Sequence, residues 1–204
     1  MIFTILITCV GGELAPQMIQ ELRLNSRHDI KVIGVDANID AVGKYFCDEF
    51  SVVPFGDNPN YGVIIQKLVQ LYNVDLVIPT SDEEAMALSH SRTKVEKNGC
   101  QLACVSSEII DILSDKGKTY QFLKDKGVHV PVTKIIKDID TLKYYITNFG
   151  PAMMSLPVFN DTLKFWHSHN DENKTLGGTV LLVTGYNPYG FVLKNVWDKK
   201  WGDN

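Results

Sequence analysis

TILITCVGGELAPQMIQELR, residues 4–23, decides how the front of this chain folds. Its first part belongs to Ile2–Thr8, a short run of apolar and β-branched residues with no polar alternation. Such a run is expected of a strand buried on both faces. Gly11-Gly12 breaks it. Leu14, Met18, Ile19 and Leu22 then recur at helical spacing. A strand, a glycine turn and a helix in immediate succession form the opening unit of a parallel α/β sheet.

The following residues repeat the unit. Ile30–Val35 is a second strand ending at Asp36. A polar stretch, Phe55–Asn60, leads into a helix with Val63, Ile64, Leu68, Val69 and Leu71 on or near one face. Asp75–Pro79 is a third strand and Gln101–Val105 a fourth. Between them Ser81-Asp82-Glu83-Glu84 opens a helix that continues over Ala85 to Val95, its acids near the positive end of the helix dipole. Ser106-Ser107-Glu108 opens another helix. The expected fold class is α/β, a Rossmann-like parallel sheet with helices on both faces.

Asp115–Gly127 is a further helix with Tyr120, Phe122 and Leu123 on its apolar side and Gly127 as its C-cap; residues 128–136 are extended around Pro131, and Ile139–Phe149 is helical. After Gly150-Pro151 the pattern changes. Met153–Phe159 reads as a strand, Asn160–Lys174 is polar and aromatic, and Val180–Val183 with Phe191–Leu193 reads as a hairpin around Asn187-Pro188-Tyr189-Gly190. The expected organisation is a domain at 1–114, a connecting segment at 115–149 and a small, mainly β C-terminal segment at 150–204.

Composition sets limits on function. The chain has 204 residues, 45% of them hydrophobic, and a formal charge of −4. With a pI near 5.7 it carries no electrostatic footprint for nucleic acid or an anionic membrane. No apolar run approaches the roughly 20 residues that span a bilayer. Cys9, Cys47, Cys100 and Cys104 lack CxxC spacing and read as free thiols of a cytoplasmic protein. His167 and His169 lie two apart without cysteine or carboxylate partners, so no metal site is expected there.

The turn CVGGEL invites a phosphate at a helix N-terminus, with Gly11 and Gly12 as cofactor-binding candidates and Asp36 near a ribose hydroxyl. GxGxxG is absent, however, and the charge of Glu13 opposes a phosphate there. A tight turn without a ligand, and Asp36 as a strand-end residue, is the simpler reading.

ILITCVGGELAPQMIQELR, KVIGVDAN, DLVIPTSDEEAMAL and DKGKTYQFLKDKGVHVPVT resemble, in this order, the front of ATP-grasp enzymes of the short carbamoyl-phosphate-synthase-large-subunit-like type. The resemblance covers about residues 2–149. It implies a pre-ATP-grasp domain followed by the opening of an ATP-binding part, in a ligase that uses ATP and Mg2+ to activate a carboxylate of a small-molecule substrate for attack by an amine or similar nucleophile. It places Lys116 against ATP phosphate oxygens and Asp82, Glu83 and Glu84 on the substrate side. A solvated lysine and a dipole-stabilised acidic helix start explain the same residues. The family's second phosphate-binding lysine, lid and magnesium carboxylates find no counterpart in PAMMSLPVFND or beyond, so this chain is expected to be non-catalytic.

The tail, NFGPAMMSLPVFND and GGTVLLVTGYNPYGFVLKNVWDKKWGDN, resembles the C-terminal half of papain-like cysteine peptidases. That resemblance implies that Asn195 matches the asparagine that orients the catalytic histidine. Thr179 stands at the histidine position, and a threonine cannot take a thiol proton near neutral pH. No catalytic residue is expected here. The tail reads as a degenerate β module, as a fragment, or as the result of a junction within residues 147–151. A homo-oligomer or a partner chain is expected to cover its sheet. Three functions stay open: an ATP-grasp-related protein, an inactive peptidase relative, and a binding or assembly module.

Overall fold

The computed structural model describes residues 2–131, 133–158 and 177–194. Its chain divides into two compact units, Met1–Thr133 and Lys134–Asn204. The first is the α/β sheet expected from the sequence, and the second carries a small antiparallel sheet.

In the first unit, β1 (Ile2–Ile7), β2 (Asp29–Asp36), β3 (Glu49–Val52), β4 (Leu76–Ile78) and β5 (Gln101–Leu102) stand in the order β3-β2-β1-β4-β5. All neighbours pair in parallel, with Ile5 beside both Val32 and Leu76. The period-two geometry of a strand sorts the apolar residues of β1 and β2 between two cores. Leu6, Ile33 and Val35 face one core with Val77 of β4. Ile5, Ile7 and Val32 face the other.

Helices cover both faces. α1 (Leu14–Asn25) lays Ala15 and Ile19 on the second core. Pro16 falls in its first turn, where a missing N–H breaks no helical bond. α2 (Tyr61–Tyr72) lays Tyr61, Ile65 and Val69 on the first core, and Asn73 ends it in the left-handed conformation. α3 (Asp82–His90) and α4 (Arg92–Val95) add Leu88 and Val95 to the same core. α5 (Ser107–Leu113) and α6 (Lys116–Asp125) complete the unit.

Three details differ from the sequence reading. β3 is an additional edge strand. Its short run alternates poorly, with only Phe50 and Ser51 half-buried, so periodicity did not mark it. The helix expected through Val95 breaks at Ser91, whose side chain sits where a Cβ on Gly62 would stand, 2.2 Å from Oγ. The fourth strand is two residues long, and Arg92 spans the backbone beyond it through the carbonyls of Leu102, Cys104 and Val105.

In the second unit, α7 (Ile139–Phe149) is capped by Asp138, whose carboxylate accepts from Thr141 N at 2.7 Å. β6 (Ala152–Val158), β7 (Gly177–Asn187) and β8 (Gly190–Lys194) form an antiparallel sheet in the order β6-β7-β8. The Asn187–Gly190 turn is the one expected, closed by Asn187 Oδ1 on the amides of Tyr189 and Gly190. β7 is longer than expected, because backbone pairing carries it through Gly177-Gly178 and across a bulge between Val183 and Gly185. Tyr186 bonds Thr147 of α7 at 3.0 Å.

Candidate functional site

In a parallel open sheet, ligands bind outside the carboxyl ends of the strands where the connections reverse direction. Here the chain leaves β1 for β2 on one side and later returns to β4 on the other. The switch point therefore lies between β1 and β4. Four stretches converge there: Thr8–Gly12 after β1, Asp36 ending β2, Thr80–Glu84 leading from β4 into α3, and Tyr61 opening α2.

Glu84 is the centre of the group. It is 6% exposed although it belongs to the first turn of a helix. Two features draw it inward. Ser81 caps α3, accepting from the Glu84 amide at 3.3 Å. Gly56 lets the backbone after β3 lie against the same turn; a Cβ there would stand 2.8 Å from Glu84 N. The Thr8 hydroxyl donates to Glu84 Oε2 at 2.5 Å and accepts weakly from Thr80 N at 3.3 Å. Thr80 Oγ1 in turn donates to the Thr8 carbonyl at 2.6 Å, locking the β1 and β4 ends together.

Tyr61 is 1% exposed, and its buried hydroxyl has no hydrogen-bond partner among the described residues. Glu84 and Thr8 lie near enough to act on its ionisation as hydrogen-bonding groups, although neither contact has full hydrogen-bond geometry. Burial, reinforced by the charge of Glu84, raises the phenol's pKa and keeps it protonated. Burial also raises the pKa of Glu84; hydrogen bonds from its neighbours oppose the shift and the charge of Asp36 adds to it. The Cys9 thiol is raised by burial and then by Glu84 and Asp36, so it is held away from the reactive thiolate. Cys9 itself adopts a positive φ of 50° at the turn.

The sequence candidates fall into place unequally. Gly11 N donates to Asp36 Oδ2 at 2.7 Å, and Gly12 N donates to the Cys9 carbonyl at 2.9 Å. Neither amide is left for a phosphate. Asp36 is the strand-end residue of the simpler reading: its other oxygen accepts from Asn38 N at 2.8 Å. Asp82 and Glu83 are exposed beside buried Glu84, so the acidic triplet contains one inward residue and two outward ones. Lys116 is exposed at the start of α6. Asp115 there already accepts from the amides of Gly117 and Lys118, leaving the lysine side chain as the element that could meet a phosphate. Thr179 lies on β7, paired with Leu156. Asn195 and the His167 and His169 pair lie outside the described residues. Among the described residues no group of three metal-ligating side chains converges, so no site for Mg2+ can be assigned to them. No helix among them is long and apolar enough to cross a membrane.

Tyr61 and Thr8 were not singled out from the sequence. Their signal was faint: a threonine closing an aliphatic strand, and an aromatic residue with a polar tip opening an aliphatic helix.

The family model described as PylC-like, N-terminal domain, matches residues 5–103. Over those residues the front of the chain is similar to that domain. N5-carboxyaminoimidazole synthetase from Staphylococcus aureus is similar in two solved structures. The one complexed with ADP has a TM-score of 0.55 at 22% identity, covering 79% of this chain and 40% of that one. The other has 0.56 at 18% identity, covering 88% and 41%. The biotin carboxylase domain of Hydrogenobacter thermophilus 2-oxoglutarate carboxylase gives 0.49 at 18% identity, covering 74% and 34%. The chain thus spans about two fifths of the synthetase it resembles. Coverage of 88% of 204 residues extends past residue 149, into the part read as papain-like, and the structure so covered is a synthetase. No curated protein matches the sequence.

Proposed function

We propose that this chain supplies the front of an ATP-dependent carboxylate–amine ligase of the carbamoyl-phosphate-synthase-like type. The crevice at the ends of β1 and β4 is its substrate side, and Lys116 is its contact to ATP phosphates. One observation carries this reading: a carboxylate, Glu84, is buried at the switch point of a pre-grasp sheet, where a structural acid would stay in water. The ADP bound by the Staphylococcus aureus synthetase supports the nucleotide part. The chain alone is a binding rather than a turnover unit, because β6 (AMMSLPV) carries no lysine to act as a second phosphate contact.

MgATP is the test. Saturating MgATP is expected to raise the melting temperature of the wild-type chain, and Lys116→Ala is expected to abolish the rise. An unchanged melting temperature, or an equal rise in the variant, overturns the ATP assignment.

A second reading, assembly, is favoured by the C-terminal sheet. Met153, Val180 and Val192 share one of its faces and are 77%, 53% and 48% exposed. Under this reading another chain covers that face, and sedimentation analysis should find an oligomer that Met153→Lys dissolves.

A further inference from the structure

A hollow of about 590 Å³ opens at the amino ends of the strands, at the far end of β1 from the switch point. Parallel register sets its floor. Phe3 pairs with Ile30 and Ile5 with Leu76, so these four side chains share one face of the sheet. Helical spacing sets its wall, where Met18, Leu22 and Asn25 of α1 fall on one stripe. Met18, Leu22, Ile30 and Leu76 are only half-buried, so each keeps apolar surface open to the hollow. The core on this face draws on no described residue beyond Ile78, so no apolar side chain of α5 or α6 packs over the floor. An apolar recess rimmed by polar residues marks a binding surface. Its volume falls within the roughly 300–1,000 Å³ of small-molecule sites.

The polar groups gather at one end, at the turn from α1 into β2. Ser26 is already satisfied: its Oγ donates to the His28 carbonyl at 2.7 Å and accepts from His28 N at 3.0 Å. Glu21 Oε2 accepts from Asn25 Nδ2 at 2.9 Å, and the His28 ring makes no hydrogen bond among the described residues. Glu21 is the one carboxylate of the lining, so an anionic head would meet like charge. Ser26, His28 and Ile30 also border a polar hollow of about 500 Å³ that holds Arg23, Arg27 and Asp29. A cationic head would therefore give up its water for one exposed carboxylate beside two guanidinium groups, which returns little. A hydroxyl avoids that desolvation cost. It can donate to Glu21 and exchange a hydrogen bond with the His28 ring in either tautomer.

We infer that this hollow binds an uncharged alcohol with an apolar body, its hydrocarbon against Phe3, Met18, Leu22, Ile30 and Leu76 and its hydroxyl at Glu21 and His28. Met18, unbranched and adaptable, lets the wall fit hydrocarbons of different shape. A second copy of the chain is a poorer occupant. A two-fold contact would set this concave patch against itself and leave a void. The inference goes beyond the ligase reading and depends neither on ATP nor on the switch-point crevice.

The test is a titration of the isotope-labelled 204-residue chain with octanol below its solubility limit, followed by methyl NMR. Sodium octanoate and octyltrimethylammonium bromide, of equal chain length, serve as controls. The expected result is saturable shifts confined to the methyl groups of Ile5, Met18, Leu22, Ile30 and Leu76, with both charged controls binding about threefold or more weakly. Met18→Trp, which fills the hollow, should weaken octanol binding about tenfold or more. Glu21→Ala should weaken it roughly threefold to tenfold. Shifts that never saturate overturn the inference, as does a charged control that binds as tightly as octanol. Shifts of the same methyl groups with protein concentration alone also overturn it, because a second copy then fills the hollow. Unchanged octanol affinity in a folded Met18→Trp has the same consequence. If that variant loses the dispersed spectrum of the fold, Glu21→Ala decides, because Glu21 is exposed; unchanged affinity there overturns the inference.

Discussion

Replacing Tyr61 by phenylalanine removes one oxygen atom from the interior and nothing else. The ring stays, and with it the apolar contacts of a residue only 1% exposed. The lost hydroxyl makes no hydrogen bond in the folded protein but is hydrated in the unfolded chain. Leaving such a group unpaired costs about 1–3 kcal/mol. The void left by one oxygen returns a few tenths of that at most. Tyr61→Phe is therefore expected to stabilise the fold by about 1 kcal/mol, or roughly 2–6 °C in melting temperature. Urea unfolding followed by circular dichroism measures it; the midpoint should rise while the slope stays constant. A loss of 1 kcal/mol or more would show that the hydroxyl is bonded in the folded protein. It would then refute the orphaned state of the hydroxyl.

Glu84→Gln probes the same group through pH. Burial holds the folded pKa of Glu84 above its ordinary value of 4.5, so the fold prefers the protonated form. That preference favours folding fully below pH 4.5 and is lost as pH rises through the folded value. The wild-type protein should thus lose more stability between about pH 4 and pH 7 than Glu84→Gln does; parallel urea midpoints in the two proteins would contradict the shift. Gly56→Ala places a Cβ 2.8 Å from backbone atoms of Glu83 and Glu84. It should cost about 1–3 kcal/mol and move the Thr8 and Glu84 amide resonances; a variant of wild-type stability would show that the loop is free to withdraw.

Much of the fold was legible because its signals are local. The aliphatic run of β1, the Gly11-Gly12 break and the helical spacing of Leu14, Met18, Ile19 and Leu22 needed no partner to be read. α6 and α7 were legible from the apolar spacing of Tyr120, Phe122 and Leu123 and from the helical pattern of Ile139–Phe149; their Asp115 and Asp138 caps emerge only in the structure. What escaped was set by contacts from elsewhere. β3 is a strand because β2 pairs with it, Ile33 beside Glu49, rather than because its residues alternate. Ser91 ends α3 where its side chain lies against Gly62, twenty-nine residues earlier in the chain. The site shows the same division. Residues 82–84 were visible as an acidic helix start, but their order gave no sign of which carboxylate turns inward. The Ser81 cap, the close approach of Gly56 and the Thr8 hydroxyl make that choice. Tyr61 reaches the site only because α2 packs on the face of the sheet that Leu6 and Val77 also line.

The ligase reading is tested most directly by equilibrium binding of MgATP to the wild-type chain and to Lys116→Ala, measured by isothermal titration calorimetry. The account predicts a single saturable site in the wild-type protein and about tenfold or more weaker binding in the variant, as expected when a cation facing phosphate is removed. No heat of binding in the wild-type chain, or equal affinity in the two proteins, would contradict it.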